Sequence, residues 1–256
     1  MKLLVSVVSA EEARRALAGG ADIIDVKDPR EGPLGAPAPR VLSEVVEVVG
    51  AAAPVSVALG DLRTVPRPTA LVARGAAYVK VGLRAVREVD DAVAVMRGVA
   101  DAVGPGISVI AVAYADAGAL HPPALAPMSL PEVVSRTGIA GALVDTFVKD
   151  GRGLYAWLTE SELTRLIART HSAGGTFGVA GQLRLGELRR VPADVVGVRS
   201  AGCRGGDRTN ELDPELVAAA AGELHGKPQP RVIRVPSPPG ARTVTATPVR
   251  RTASGR

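Results

Sequence analysis

Eight short apolar runs alternate along this chain with segments of helical period. The runs cover residues 3–8 (LLVSVV), 23–27 (IIDVK), 55–59 (VSVAL), 78–82 (YVKVG), 108–114 (SVIAVAY), 141–146 (GALVDT), 176–180 (TFGVA) and 194–200 (DVVGVRS). They are rich in Val, Ile, Leu and Ala, as strands covered on both faces should be. Helical punctuation frames them. Residues 10–18 stop at Gly19-Gly20, and residues 39–49 and 90–103 follow the same logic, the second ending at Gly104-Pro105. Ser129 with Pro131, Thr159 with Glu162, and Asp213 with Pro214 read as helix starts. The phrases GGADIIDV, RGAAYVKV and GIAGALVD repeat one order: glycine, small residue, strand. A strand–helix unit read eight times predicts a (β/α)8 TIM barrel, a single catalytic domain over residues 1–225. The alternative, a doubly wound open sheet, usually brings a Gly-rich first turn, and none follows Val8.

Charge must be read by position. The net +5 suggests a nucleic-acid partner, but seven of the 31 Lys and Arg residues lie in residues 226–256, which hold no acid. Residues 1–225 therefore carry 24 basic groups against 26 acidic ones. Phosphate-backbone binding needs a basic surface, and stacking on single strands needs aromatics, here only 2% of the chain. No nucleic-acid partner is expected. The Pro- and Arg-rich tail 226–256 cannot bury enough apolar surface to offset the entropy of ordering, so it is expected to be disordered. One cysteine excludes a disulfide within the chain, and three scattered histidines show no ligand spacing, so neither metal nor cofactor is expected. No apolar stretch approaches about 20 residues, and the N-terminus does not read as a signal peptide. A cytoplasmic protein without membrane contact, able to form a homo-oligomer, is the expectation.

A barrel of this type carries its chemistry at the C-terminal ends of the strands. Charges gather there: Asp25 and Lys27 (strand 2), Asp61 (3), Lys80 (4), Asp116 (5), Asp145 with Lys149 just beyond (6), and Arg199 (8). Alternation along a strand puts Asp25 with Lys27, and Leu143 with Asp145, on one face. Lysine is rare here: Lys2, Lys27, Lys80, Lys149 and Lys227 are the only five. Three of the five stand at strand ends, in a chain that otherwise uses Arg for positive charge. Arg stays charged and cannot serve as an amine nucleophile. Two readings of Lys27 and Lys80 are open. One is a buried Lys–Asp pair that fixes the barrel; the other is an amine whose pKa is lowered by burial and a neighbouring ammonium, fit to condense with a carbonyl. Asp61 and Asp116 read equally as loop caps or as site acids. Two Gly-rich loops occupy the usual phosphate corner after strands 7 and 8. Gly181 and Gln182 in the first, and Arg199, Gly202, Gly205 and Arg208 in the second, are the expected phosphate-binding residues. Cys203 in the second loop reads as packing.

The stretches 19–36 (GGADIIDVKDPREGPLGA), 78–83 (YVKVGL), 113–116 (AYAD), 145–151 (DTFVKDG) and 197–208 (GVRSAGCRGGDR) together resemble the (5-formylfuran-3-yl)methyl phosphate synthases, the furan-forming enzymes of methanofuran biosynthesis. The match runs in order from about residue 3 to residue 217; the tail has no counterpart, and the loop 61–69 is short and altered. The resemblance implies a lyase that joins two glyceraldehyde 3-phosphate molecules into a furan aldehyde phosphate, releasing one phosphate and two waters. It implies Lys27 as the Schiff-base residue and Lys80 as proton acceptor. Asp25 is placed to stabilise the iminium, and Asp145 and Lys149 to assist proton transfer or hold a second phosphate. The rival readings are a Schiff-base aldolase or isomerase for another sugar phosphate, and a non-catalytic barrel that binds a phosphorylated metabolite.

Overall fold

The computed structural model describes residues 1–64 and 75–226. The tail expected to be disordered, from residue 227 on, and residues 65–69 of the loop 61–69 lie outside the described residues. Eight parallel strands close into a barrel in chain order. They are β1 (Lys2–Val7), β2 (Ile23–Val26), β3 (Val55–Asp61), β4 (Tyr78–Gly82), β5 (Ser108–Tyr114), β6 (Gly141–Asp145), β7 (Thr176–Val179) and β8 (Val195–Val198). β8 closes on β1 with Leu4 opposite Gly197. Among the described residues six long helices surround them: α1 (Ala10–Ala18), α2 (Pro39–Val49), α3 (Val89–Val103), α4 (Leu130–Thr137), α5 (Glu160–Ser172) and α6 (Pro214–His225).

Strand parity divides the interior from the outer core. Val5, Ile24, Val57, Val79, Ala111, Val144, Val179 and Val196 join the main buried cluster against the helices. The opposite faces build a much smaller interior cluster from Ala58, Val112, Tyr114 and Leu143, joined by Leu34 of the loop after β2. The outer layer therefore supplies most of the apolar burial, and the interior mixes a few apolar side chains with polar groups and small residues.

Helix starts follow local chemistry. Thr159 and Glu162 form a reciprocal capping box on α5, and the Asp213 side chain accepts from Glu215 N on α6. Ser129 does not cap α4: it is already helical, and its side chain makes no capping bond, because a short 3-10 turn over Pro127–Ser129 leads into the helix. The expected repeat also breaks between β7 and β8. Residues 180–194 contain no helix; Gly181, Gly186 and Pro192 break the period. Leu183, Leu188 and Val191 are buried there in its place. Glu223 of α6 secures this link by accepting from Gly186 N and Leu188 N. Among the described residues no helix is long and apolar enough to cross a membrane.

Candidate active site

Lys27 stands one residue beyond β2, held by its backbone N–H to Val7 O at 3.2 Å. Its side chain is buried, 7% exposed, and among the described residues its amine makes no hydrogen bond or ion pair. Burial lowers its pKa to about 7, helped by the ammonium groups of Lys80 and Lys149; Asp145 and Asp25 pull the other way. At neutral pH such an amine is free base about half of the time, against well under one part in a hundred for an ordinary lysine, and attack on a carbonyl requires the free base.

Lys80 has a different environment. Its Nζ lies 2.7 Å from Asp25 Oδ2, which also accepts from Ser6 Oγ at 2.9 Å. Asp25 is fully buried. The Lys–Asp pair left open by the sequence thus exists, but it joins Lys80 to Asp25 and leaves Lys27 free. Asp145, expected to assist from strand 6, is the acid with the largest electrostatic effect on Lys27. Asp145 accepts from Lys149 Nζ and from Thr146 N, both at 2.7 Å. Burial favours its neutral form, yet Lys149 and Lys27 hold its carboxyl below the ordinary range. The expected placing of Asp25 as the carboxylate beside the iminium is therefore corrected: Asp145 has the stronger claim, and Asp25 is committed to Lys80.

The two remaining strand-end acids diverge. Asp116 accepts from Phe147 N at 2.7 Å and Val148 N at 2.8 Å, so it is a loop cap. Asp61 accepts from Tyr114 OH at 2.7 Å and Arg84 N at 3.1 Å. Burial raises its pKa, and the Tyr114 hydroxyl is held well above its ordinary value by burial and by Asp61.

The phosphate corner is rearranged from the expected set. Gly181 and Gln182 line the pocket with Lys27, Lys80, Asp145, Lys149, Arg199, Ser200 and Arg208. Gln182 is the one non-glycine residue with positive φ among the described residues, at 51°. That conformation is uncommon outside glycine and costs energy. The Gln182 side chain compensates by donating to Arg152 O at 2.7 Å and accepting from Gly151 N at 3.1 Å. Only its backbone is left for a ligand, and its side chain ties the β6 and β7 loops together.

Arg199 is corrected more strongly. All five of its N–H donors have acceptors within the protein: the Glu12 carboxylate and the carbonyls of Ser6, Arg208 and Asn210. It has none to offer a phosphate. Glu12, which sequence reasoning passed over, is buried in α1 and also accepts from Val8 N and Leu212 N. The S-x-x-E spacing of Ser9 and Glu12 was its one visible signal. Gly202 packs under Leu212 and Val217, and Gly205 faces a different surface, so neither lines the pocket. Cys203 is buried, its thiol pushed up to about 11 by burial, as a packing residue. Arg208 remains. It lines the pocket half-buried and spends only Nη2, on Pro29 O and Gly32 O. Burial draws its pKa below the ordinary guanidinium value, against the pull of Asp145.

The Lys27 pKa makes a direct expectation. Imine formation, read by borohydride trapping of substrate, should rise through pH 7 and fall below it, because only the unprotonated amine attacks. A trapping rate that is flat from pH 6 to 9 would remove the lowered amine from the mechanism.

A closed eight-stranded barrel with a buried lysine pocket at the C-terminal strand ends is the architecture of a (β/α)8-barrel enzyme. The solved structures it is similar to agree on the fold. Phosphoribosyl anthranilate isomerase from Thermotoga maritima matches with a TM-score of 0.62 at 12% identity, over 88% of this chain and 99% of that one. Thiamine phosphate pyrophosphorylase from Pyrococcus furiosus matches at 0.56 and 16%, over 87% and 95%. The family is narrower. The family model for 4-HFC-P synthase matches residues 3–221. Curated (5-formylfuran-3-yl)methyl phosphate synthases are similar over most of their length. That of Methanosarcina mazei is 38% identical over 87% of this chain and 99% of its own. That of Methanopyrus kandleri is 42% identical over 81% and 91%. The chain belongs to the 4-HFC-P synthase family.

Proposed function

We propose that this protein is a lyase that joins two glyceraldehyde 3-phosphate molecules into (5-formylfuran-3-yl)methyl phosphate through a Schiff base on Lys27. The supporting observation is the buried Lys27 amine of lowered pKa, unpaired among the described residues and facing a pocket rimmed by Lys80, Asp145, Lys149 and Arg208. Lys27 Nζ adds to the carbonyl carbon of one triose, and loss of water gives an iminium. The iminium draws electrons from the neighbouring carbon, whose proton passes to the Lys80 amine, freed beforehand by transfer of its ammonium proton to Asp25. The resulting enamine attacks the aldehyde of the second triose. Later eliminations release phosphate and water, and hydrolysis of the imine frees Lys27. Asp145 balances the iminium charge, and Lys149, held by Asp145 and Thr146, serves leaving groups. Two substrate molecules and one product balance with one phosphate and two waters, so no oxidant is required. The cytoplasm is the proposed site of this chemistry.

Pure protein given glyceraldehyde 3-phosphate alone should yield the furan, identified by mass and near-ultraviolet absorbance. A six-carbon sugar phosphate without ultraviolet absorbance would instead make the protein an aldolase.

Arg208 is the proposed side-chain phosphate ligand. Arg208→Ala should raise KM by roughly 10- to 100-fold, the scale of a lost charge-assisted hydrogen bond, with a smaller change in kcat. A KM equal to that of the wild type would place the phosphate elsewhere.

A further inference from the structure

Barrel interiors are usually filled by layers of bulky branched side chains. The lower half of this one is filled incompletely: Leu4, Ile23, Ile110, Leu143 and Val195 face a space that small residues leave open. Gly178, Ser56 and Ser108 occupy inward positions there, and a cavity of about 790 Å³ runs up from the N-terminal end of the barrel. Its mouth is formed by first residues of strands, Lys2, Tyr78, Ser108 and Thr176 among them. At the C-terminal end the space around Lys27 is divided into a narrow part of about 30 Å³ and an adjoining one of about 360 Å³. Leu4, Lys80 and Leu143 line both the narrow part and the N-terminal cavity. Lys80 therefore stands in the septum, with the catalytic pocket above and the rear cavity below.

Two polar atoms at this level lack partners. Asp25 Oδ1 and Ser56 Oγ are buried without a hydrogen bond among the described residues. They belong to cross-strand neighbours, since Asp25 is in register with Ser56 between β2 and β3. Asp25 holds Lys80 through its other oxygen, and Ser56 lines the rear cavity. A buried hydroxyl and a buried carboxylate oxygen that lack partners are a common reason for an ordered water. The hydroxyls of Tyr78 and Ser108 continue the polar line to the mouth.

We propose that Lys80 exchanges protons with solvent through this rear cavity, along Asp25, a bridging water and Ser56, while substrate enters from the opposite end of the barrel. The proposal rests on the reading of Lys80 as the proton acceptor. In each cycle the substrate C–H bond breaks and its electron pair enters the enamine. The proton goes to Lys80 Nζ. The ammonium then gives a proton to the Asp25 carboxylate, which releases it through water and the Ser56 hydroxyl to the cavity. No other reactant is consumed. The arrangement lets Lys80 be reset while the front of the pocket is filled by two phosphorylated substrates.

Two variants test the route. Ser56→Ala removes the relay hydroxyl with almost no change of volume, and losing an unpartnered buried hydroxyl should not weaken the fold. Ser108→Leu narrows the mouth with an apolar side chain. Turnover is run in deuterium oxide, and the triose and product are analysed by mass spectrometry. The readout is the ratio of substrate hydrogen retained after proton transfer to solvent deuterium taken up. Both variants should raise this ratio about tenfold, because a proton held on Lys80 returns to carbon, with KM unchanged. If both keep the wild-type ratio, the rear route is overturned and Lys80 exchanges through the front. If Lys80→Arg still exchanges hydrogen at that carbon of the recovered triose at the wild-type rate, the reading of Lys80 as proton acceptor fails instead.

Discussion

Lys27→Arg should abolish furan formation and borohydride trapping together. The substitution keeps positive charge beside Asp145 but removes the only chemistry the mechanism needs from this position, an amine able to become an imine. The expected loss is at least about 10⁴-fold in kcat, since covalent activation has no substitute in the pocket. Peptide mapping of the trapped wild-type protein should place the substrate mass on Lys27. Lys80→Arg gives the contrast. It should cripple turnover yet still allow trapping, because imine formation precedes proton transfer. Geometry supports this order: Lys80 is bound to Asp25 at 2.7 Å, whereas Lys27 has no ion-pair partner among the described residues. Substrate mass on Lys80, or furan from Lys27→Arg, would reverse the two roles.

The second large effect is on stability. Arg199→Ala should cost about 3–5 kcal/mol, the usual penalty for leaving one partner of a buried ion pair uncompensated. Here the residue left behind is Glu12, with Arg199 and Glu12 both buried. In a domain of this size that loss should lower Tm by roughly 10 °C. Replacing both partners with apolar residues of similar volume, Glu12→Leu with Arg199→Met, should restore much of the loss. A phosphate ligand would behave otherwise: Arg199→Ala would melt like the wild type and change only KM. Denaturant titration of the two single variants and the double variant separates these outcomes.

The barrel was legible because its evidence is local. Buried parallel strands read as Val- and Ile-rich runs, and helix stops such as Gly19-Gly20 are written beside them. The site lysines were legible through scarcity, since a chain that favours Arg keeps Lys at three strand ends. The pairing inside the site was not legible. Parity puts Asp25 and Lys27 on one face, but whether Asp25 turns to Lys27 or to Lys80 depends on barrel stagger. Asp25 is level with Ser56, and Ser56 is level with Tyr78, so Lys80 sits two residues higher on β4 and reaches back down. No window of sequence contains that register. Arg199 was misread for the same reason. Its Gly-rich surroundings suggested a phosphate, while its partner Glu12 lies 187 residues away. The link between β7 and β8 was overread as a full repeat because one missing helix hardly alters an eightfold rhythm.

The clasp between Glu12 and Arg199 also bears on how the molecule comes to be made. It fastens the first helix to the last strand, so it cannot form until almost the whole described chain has left the ribosome. Until β8 arrives, β1 remains an open edge, the kind of template on which chains aggregate. Contacts of such long sequence separation are among the slowest to form. The clasp should therefore be absent from the folding transition state, and weakening it should speed unfolding far more than it slows folding. The last strand thus completes the sheet, and the loop that follows it brings Arg208 to the Lys27 pocket, so an unfinished chain carries the amine but not the pocket that would use it.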